Sequence, residues 1–396
     1  MTRLNVLQIF SRYLHYGGEE GSVFRIGDAL QARHNLEYFI NSSEELTRGN
    51  LLRKFTVPLR AFYNYPILKT LDKYQKIGRF DCWQIHNVFP SISPGAYSLA
   101  FKLGIPIIHY LHNYKLGCAN GFMFHHGKEN RDCIHGNFWP AIRDRTWHDS
   151  FAHTAVMGGI LAYSRSRLKV LDRITRWIAI SQAQKDIHVQ MGIPSDRIDV
   201  VPHFLKTTPG VSPPPFPANG HGLFVGRLSP EKGVDRLLHA WTKISPDRKL
   251  VIMGDGPEME PLKALTIKLN LKNVVFTGFL ARNAQAEVWK ETAFSIVPSI
   301  WQEPFGMVVL EAWAKARPVV AHSIGALPEI IRDGEDGFLA DPNAPEALST
   351  ALERAFSNTT DLRQMGLTGL NRLNSDYNKL TWLDRIDDVY RKAGLL

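Results

Sequence analysis

The 396-residue sequence predicts an α/β protein with two Rossmann-like, doubly wound parallel-sheet domains. Three observations predict it. Short apolar, β-rich runs alternate with longer amphipathic segments along the second half of the chain. The same alternation recurs more loosely in the first half. A stretch dense in Pro and Gly separates the two. Strands alternating with helices of this size build a parallel sheet covered on both faces.

In the first half the strand candidates are residues 5–10, 36–40, 82–85, 106–110, 177–180 and 198–201. Residues 113–150 show no periodicity and are rich in Gly, His, Asn and Trp; a connection that long is usually functional or mobile. Residues 207–222, TTPGVSPPPFPANGHG, read as an interdomain linker, extended and stiffened by its prolines. The second half gives strands at 223–225, 250–253, 274–277, 294–297, 318–321 and 338–340. Helical patterns lie between them near 233–243, 258–269, 283–290, 307–316, 326–332 and 344–355. Domains are therefore expected at 1–206 and 223–379. The cleft between their sheets is the expected ligand site, since open α/β sheets bind ligands at the carboxyl ends of their strands.

Composition narrows the class. Hydrophobic residues make up 44% and charged ones 21%, which excludes a disordered chain. Cys82, Cys118 and Cys133 are too few for a disulfide framework and fit a reducing, cytoplasmic setting. The first ten residues read straight into a strand, with no targeting segment. The most lipid-like stretch, 155–163, falls far short of the roughly 20 apolar residues a spanning helix needs. Net charge is +9 and lopsided: residues 1–195 hold 24 Lys and Arg against 14 Asp and Glu, residues 196–396 hold 23 against 24. Such asymmetry suggests an anionic partner for the first half, or simply a solubilising surface.

Four groups of residues carry the chemistry. Gly226-Arg227-Leu228-Ser229-Pro230-Glu231-Lys232-Gly233 follows a strand and opens a helix. Its two cations suit a diphosphate, Arg227 as a bidentate fork and Lys232 as a mobile point charge; solvated charges on a surface turn are the alternative. In Trp301-Gln302-Glu303-Pro304-Phe305-Gly306-Met307-Val308-Val309-Leu310-Glu311, Glu303 precedes a helix and Glu311 lies within it. The backbone around Phe305–Val308 makes a phosphate cradle, with a carboxylate on either side for hydroxyls. The plainer reading is a helix with a capping acid and one exposed Glu. Tyr16-Gly17-Gly18-Glu19-Glu20-Gly21 pairs glycines after the first strand, which lets backbone approach a ligand or makes an ordinary turn. His112 stands where a strand gives way to a long loop, facing the cleft or satisfied structurally. Cys118, His125, His126, Cys133 and His135 lack the tight cysteine pair of a zinc site, and no acidic cluster suits magnesium, so no metal is expected.

Together these groups resemble the family 4 glycosyltransferases, retaining enzymes of the GT-B fold. The resemblance runs through FVGRLSPEKGVDRLL, VIMGDGPEMEPL, VVFTGFL, VPSIWQEPFGMVVLEAWAKARPVV and ALPEIIRDGEDGFL, nearly all of 223–341. It touches the first half in YGGEEGSVFRIGDAL, IHNVFPSISPGA, IPIIHYLHNYKLGCANGFMF and WIAISQAQKD. It implies that Arg227 and Lys232 hold the donor diphosphate, Glu303 contacts the transferred sugar and Glu311 binds the ribose. Backbone at Phe305, Gly306, Met307 and Val308 meets phosphates and sugar, the base lies near Gly254, Gly278 and Phe279, and Gly226 is a further donor-binding position. Gly18 brings the first loop to the donor, and His112 touches donor sugar or acceptor. A final helix near 380–392 crosses back, so that 380–396 packs on the first domain. No metal or other cofactor is implied.

The expected reaction transfers a sugar with retention from a UDP-sugar, or less favourably a GDP-sugar, to a saccharide or lipid-linked acceptor. Cell-surface polysaccharide or lipopolysaccharide synthesis is the expected setting. The basic, apolar-interleaved residues 51–55 and 68–76 suit the face of an anionic membrane, or a solvated helix. Two other classes stay open: a phosphorylase or epimerase on the same fold, and a non-enzymatic nucleotide-binding module. Nucleic acid is not an expected partner, because no such module occurs in the basic half.

Overall fold

Each half of the chain folds around its own six-stranded parallel sheet. The structure, a computed structural model, describes residues 2–12, 18–43, 56–206, 212–357 and 359–396. Contacts divide the chain into two units. Unit 1 is Met1–Met123, Asn130–Val201 and Leu383–Leu396; unit 2 is Phe124–Glu129 and Pro202–Trp382. The division falls after Val201 rather than 206, and a six-residue piece of the first half counts with the second unit.

Unit 1 contains β1 (Asn5–Arg12), β2 (Asn35–Ser42), β3 (Cys82–Asn87) and β4 (Ile107–Tyr110). Past the small hairpin β5 (Phe124–His125) and β6 (Lys128–Glu129) come β7 (Arg176–Ala179) and β8 (Ile198–Val200). The sheet order is β2-β1-β3-β4-β7-β8, every neighbour parallel. The helices that matter below are α1 (Gly18–Leu30), α2 (Tyr65–Gly78) and α3 (Phe151–Ser166). β3 is buried along its whole length, as a strand covered on both faces must be. The lipid-like stretch 155–163 lies inside α3. Ser150 caps that helix by accepting from the His153 amide at 3.3 Å, and Met157, Ile160 and Leu161 enter the core. Among the described residues no helix is long and apolar enough to cross a membrane. The unpatterned region 113–150 holds a turn of 3-10 helix, Lys115–Gly117, the hairpin and the short helix Trp139–Arg143. These pieces are too short to display a period.

Unit 2 repeats the theme with β9 (His221–Val225), β10 (Leu250–Met253), β11 (Val274–Gly278), β12 (Thr292–Val297), β13 (Val319–His322) and β14 (Gly337–Ala340). Their order is β11-β10-β9-β12-β13-β14, again all parallel. The order reverses between β9 and β12, so the loops leaving those two strands diverge and open a crevice at their carboxyl ends. The helices α4 (Val234–Trp241) and α5 (Met307–Trp313) follow these loops. Trp241, Phe294, Leu250, Ile252 and Val320 fill the core against the sheet. The helix expected over 307–316 stops at Trp313, because the Arg317 amide turns back to the Ala312 carbonyl (3.0 Å) through Ala316 at φ +51°.

The expected linker is only partly a linker. Residues 207–211 lie outside the described residues, but Pro214 and Pro215 are held to unit 2. The fully buried Arg317 guanidinium donates to the Pro215 carbonyl at 2.7 Å and to that of Pro214 at 3.4 Å, and stacks 5.1 Å from the Phe216 ring. Residues 221 and 222 already belong to β9. The last helix, α6 (Lys379–Lys392), ends among unit 1 residues. There Asp387 takes Arg33 at 2.6 Å and His34 at 2.9 Å, and Tyr390 donates to Gln84 at 2.9 Å.

Candidate active site

In unit 2 three loops lie side by side at the carboxyl ends of β9, β10 and β11. The Gly226 amide donates to Met253 O (3.0 Å), Leu228 N to Asp255 O (2.9 Å) and Gly254 N to Gly278 O (3.0 Å). Gly254 is required here: it sits at φ +143°, and a Cβ would stand 1.8 Å from the Gly226 carbonyl oxygen. Phe279, at the tip of the third loop, is 79% exposed. The sequence-predicted Gly226, Gly254, Gly278 and Phe279 are thus neighbours along one edge.

Lys232 closes a 3-10 turn, Pro230–Lys232, whose Glu231 is anchored by Ser229 Oγ at 2.6 Å. Gly233 then starts α4 at φ +67°, where a Cβ would meet the Pro298 carbonyl at 2.1 Å. This close approach draws the β9 loop against the end of β12, across the crevice. There Lys232 Nζ meets Glu303 Oε2 at 2.8 Å. The same oxygen accepts from Ser299 Oγ (2.9 Å) and Trp301 Nε1 (3.0 Å), while the ammonium lies 5.0 Å from the Trp301 ring centre. Glu303 Oε1 takes no hydrogen bond from the described residues. The expected mobile point charge at Lys232 is therefore corrected: the lysine is ion-paired with the other candidate. The Arg227 side chain is exposed and makes no hydrogen bond or ion pair with the described residues.

Beyond Glu303 the backbone is fixed by the Ala326 amide, which donates to Glu303 O at 2.9 Å. Phe305 is buried, its ring 5.3 Å from His203 and 6.1 Å from Tyr377, so only its backbone can meet a ligand. Gly306 caps α5 at φ +91°, followed by Met307 and Val308 in the first turn; Glu311 is exposed on the same helix. Gln302 Nε2 reaches Glu129 Oε2 of the β5–β6 hairpin at 2.9 Å.

Unit 1 contributes a second cluster. Tyr16 and Gly17 lie outside the described residues; Gly18 is the first residue of α1. Of the two acids after it, Glu20 is buried and paired with Arg12 (2.7 Å), and Glu19 accepts from Asn113 (3.1 Å). His112 is half-buried just past β4, its Nε2 2.7 Å from His86 Nδ1. The rings of His86, Tyr110 and His112 stack 5.1–5.3 Å apart. Burial, then the neighbouring His109 and Arg25, push the His112 pKa down to about 3. Sequence reasoning missed His86 and its partners Gln8 and Gln84. The signal was there, since all three interrupt otherwise apolar strands. Cys82, Cys118 and Cys133 are buried free thiols, and among the described residues no group of three or more His, Cys, Asp or Glu side chains could hold a metal ion.

The comparisons agree with this layout. A family model described as group 1 glycosyl transferases matches residues 221–371, and one for glycosyltransferase family 4 matches residues 16–208. An uncharacterized glycosyltransferase of Methanocaldococcus jannaschii is 38% identical over 138 residues, 34% of this chain and 35% of the relative. A D-inositol 3-phosphate glycosyltransferase of Corynebacterium diphtheriae is 33% identical over 183 residues, 44% of this chain and 42% of the relative. The chain thus spans less than half the length of these relatives. Anabaena HepE, solved with UDP and glucose, matches at a TM-score of 0.67 and 18% identity over 98% of this chain and 100% of its own, which shows a shared fold. The chain belongs to the family 4 glycosyltransferases, and its two parallel-sheet units have the GT-B fold.

Proposed function

We propose that the protein is a retaining glycosyltransferase, moving a sugar from a nucleoside diphosphate donor, UDP favoured, to a saccharide or lipid-linked acceptor without a metal ion. The observation that carries this reading is the Lys232–Glu303 pair at the switch point of the unit 2 sheet. One carboxylate oxygen is saturated by Lys232, Ser299 and Trp301, which aims the rigid carboxylate with Oε1 left to receive a sugar hydroxyl. Arg227, exposed and unpaired, supplies a fork for phosphate oxygens. The HepE complex with UDP supports the choice of nucleotide.

In the reaction the bond from the sugar anomeric carbon to the diphosphate breaks, its electron pair leaving on the phosphate oxygen. Arg227, Lys232 and the first turn of α5 meet that charge. The acceptor oxygen attacks from the same face, and its proton passes to the departing phosphate. A thermal-shift panel of UDP-, GDP-, ADP- and CMP-sugars tests the reading, followed by NMR of the product anomer. Stabilisation by a UDP-sugar and a product with the donor's anomeric configuration are expected. An inverted product, or no response to any nucleotide sugar, would sink it. The acceptor side is proposed to work at an anionic membrane, in polysaccharide or lipopolysaccharide assembly. Around α2, Leu59 (73%), Tyr65 (65%) and Ile77 (72%) are exposed among Arg60, Lys69, Lys73 and Lys76, an arrangement suited to that surface.

A further inference from the structure

A buried chain of polar groups in unit 1 ends at His112, and its hydrogen-bond directions can be followed one proton at a time. It begins at Gln8, fully buried in β1. Gln8 Nε2 donates to the Val23 carbonyl of α1 at 2.9 Å. A carbonyl only accepts, so the amide orientation is fixed: the nitrogen points this way. Its second N–H then faces His86 Nε2 at 2.7 Å. A second amide reaches the same ring nitrogen independently. Gln84 Oε1 accepts from Tyr390 Oη at 2.9 Å, which turns Gln84 Nε2 toward His86 Nε2 at 3.3 Å. Two donors converging on one nitrogen require that nitrogen to be the acceptor. The His86 hydrogen therefore sits on Nδ1. That Nδ1–H points at His112 Nε2, 2.7 Å away, so the latter is an acceptor too. Protonating His112 Nε2 would set two N–H groups against each other.

We propose that His86 is a positioning residue which, by donating to His112 Nε2, fixes His112 as a neutral imidazole with its hydrogen on Nδ1. His112 then serves sugar transfer as a hydrogen-bond donor to an oxygen of the sugar, and never as a base. This last step rests on the glycosyltransferase reading; the proton assignment does not. The groups packed around His112 agree with a neutral ring. His86 comes from β3, Tyr110 and His109 from β4, and Arg25 from α1, and His109 and Arg25 both disfavour added positive charge. His86 and Gln84 are themselves nearly or fully buried, so water does not compete for their bonds.

The test is long-range nitrogen–proton NMR of imidazole-labelled full-length protein, with the His112 signals identified by their loss in His112→Gln. The expected spectrum shows Nδ1 protonated and Nε2 bare from about pH 8 down to about pH 5, where an ordinary histidine would titrate. An Nε2–H form, or titration inside that window, overturns the proposal. Two variants add a functional readout. His86→Asn keeps a donor near the Nδ1 position and should keep the His112 spectrum. His86→Leu removes the donor, so the Nε2–H tautomer of His112 should appear, while burial still keeps the ring neutral. This variant should also lose about 10- to 100-fold in kcat with nucleotide affinity little changed, while His86→Asn retains several times more of kcat. Equal losses from the two variants would overturn the positioning role, and if His86→Leu does not fold the wild-type spectrum still decides. The wrong tautomer in an enzyme that transfers sugar defeats this inference alone. The right tautomer in a protein that transfers none defeats the role given to His112 together with the transferase reading.

Discussion

Replacing Lys232 and Arg227 by alanine should separate two cations that the primary structure presents as a pair. Lys232 Nζ stands 2.8 Å from Glu303 Oε2, and the glutamate side chain is only 9% exposed against 25% for the lysine. Truncating one member of a fully buried pair costs about 3–5 kcal/mol, because the other charge is stranded. Water reaches the lysine, and Ser299 and Trp301 still donate to the carboxylate, so Lys232→Ala should cost less, about 2 kcal/mol. In a domain of this size that lowers Tm by about 4–8 °C. Arg227 is exposed and unpaired, so Arg227→Ala should stay within about 0.5 kcal/mol of the parent. Both should lose on the order of 10²–10³ in kcat if both meet the leaving diphosphate. The assay is thermal unfolding beside steady-state transfer, with Glu303→Gln added in both backgrounds. Glu303→Gln should cost at least about 1 kcal/mol less in the Lys232→Ala background than in the parent. Purely additive stabilities, or equal Tm losses from the two alanines, would refute the reasoning.

Three further outcomes are expected. Glu303→Gln should reduce kcat strongly with nucleoside diphosphate affinity nearly intact, whereas Glu311→Gln should weaken that affinity by roughly 1–3 kcal/mol; calorimetry and kinetics on both variants decide, and the opposite pattern reverses the donor. The protein should bind anionic vesicles through its first half and release as salt rises, each well-placed Lys or Arg contributing roughly 1 kcal/mol; equal co-sedimentation with neutral lipid counts against this. Acid should destabilise the fold. Burial holds His188 and His221 at about 4, below the unfolded value of about 6.5, so their contribution is complete above that value and fades as pH falls toward 4. A loss on the order of 2 kcal/mol per histidine is expected between pH 7 and 4.5, and a flat denaturation profile over that range would contradict it.

The sequence disclosed most where structure is local. Each strand of unit 2 is a short, largely apolar run ended by Gly, Pro or a polar residue, so its existence and place could be read within two residues, and the loops after β9 and β12 carried their own chemistry in order. Pairings across long separations were hidden. Lys232 and Glu303 lie 71 positions apart, and nothing in either segment reveals that Gly233 draws one loop against Pro298 of the other. The same holds for Arg317, an unremarked cation in an apolar stretch that pins Pro214 and Pro215 more than a hundred positions away, turning part of an apparent linker into the skin of unit 2. His86 shows the limit most sharply. A histidine inside the run CWQIHN reads as an imperfection in a strand. Its role rests on which atom of Gln8, 78 positions earlier, faces it, and that orientation is set in turn by a carbonyl of α1. Polar residues that interrupt a fully buried strand are the trace such a network leaves in a sequence: each must find a partner, and the partner's identity exists only in the fold.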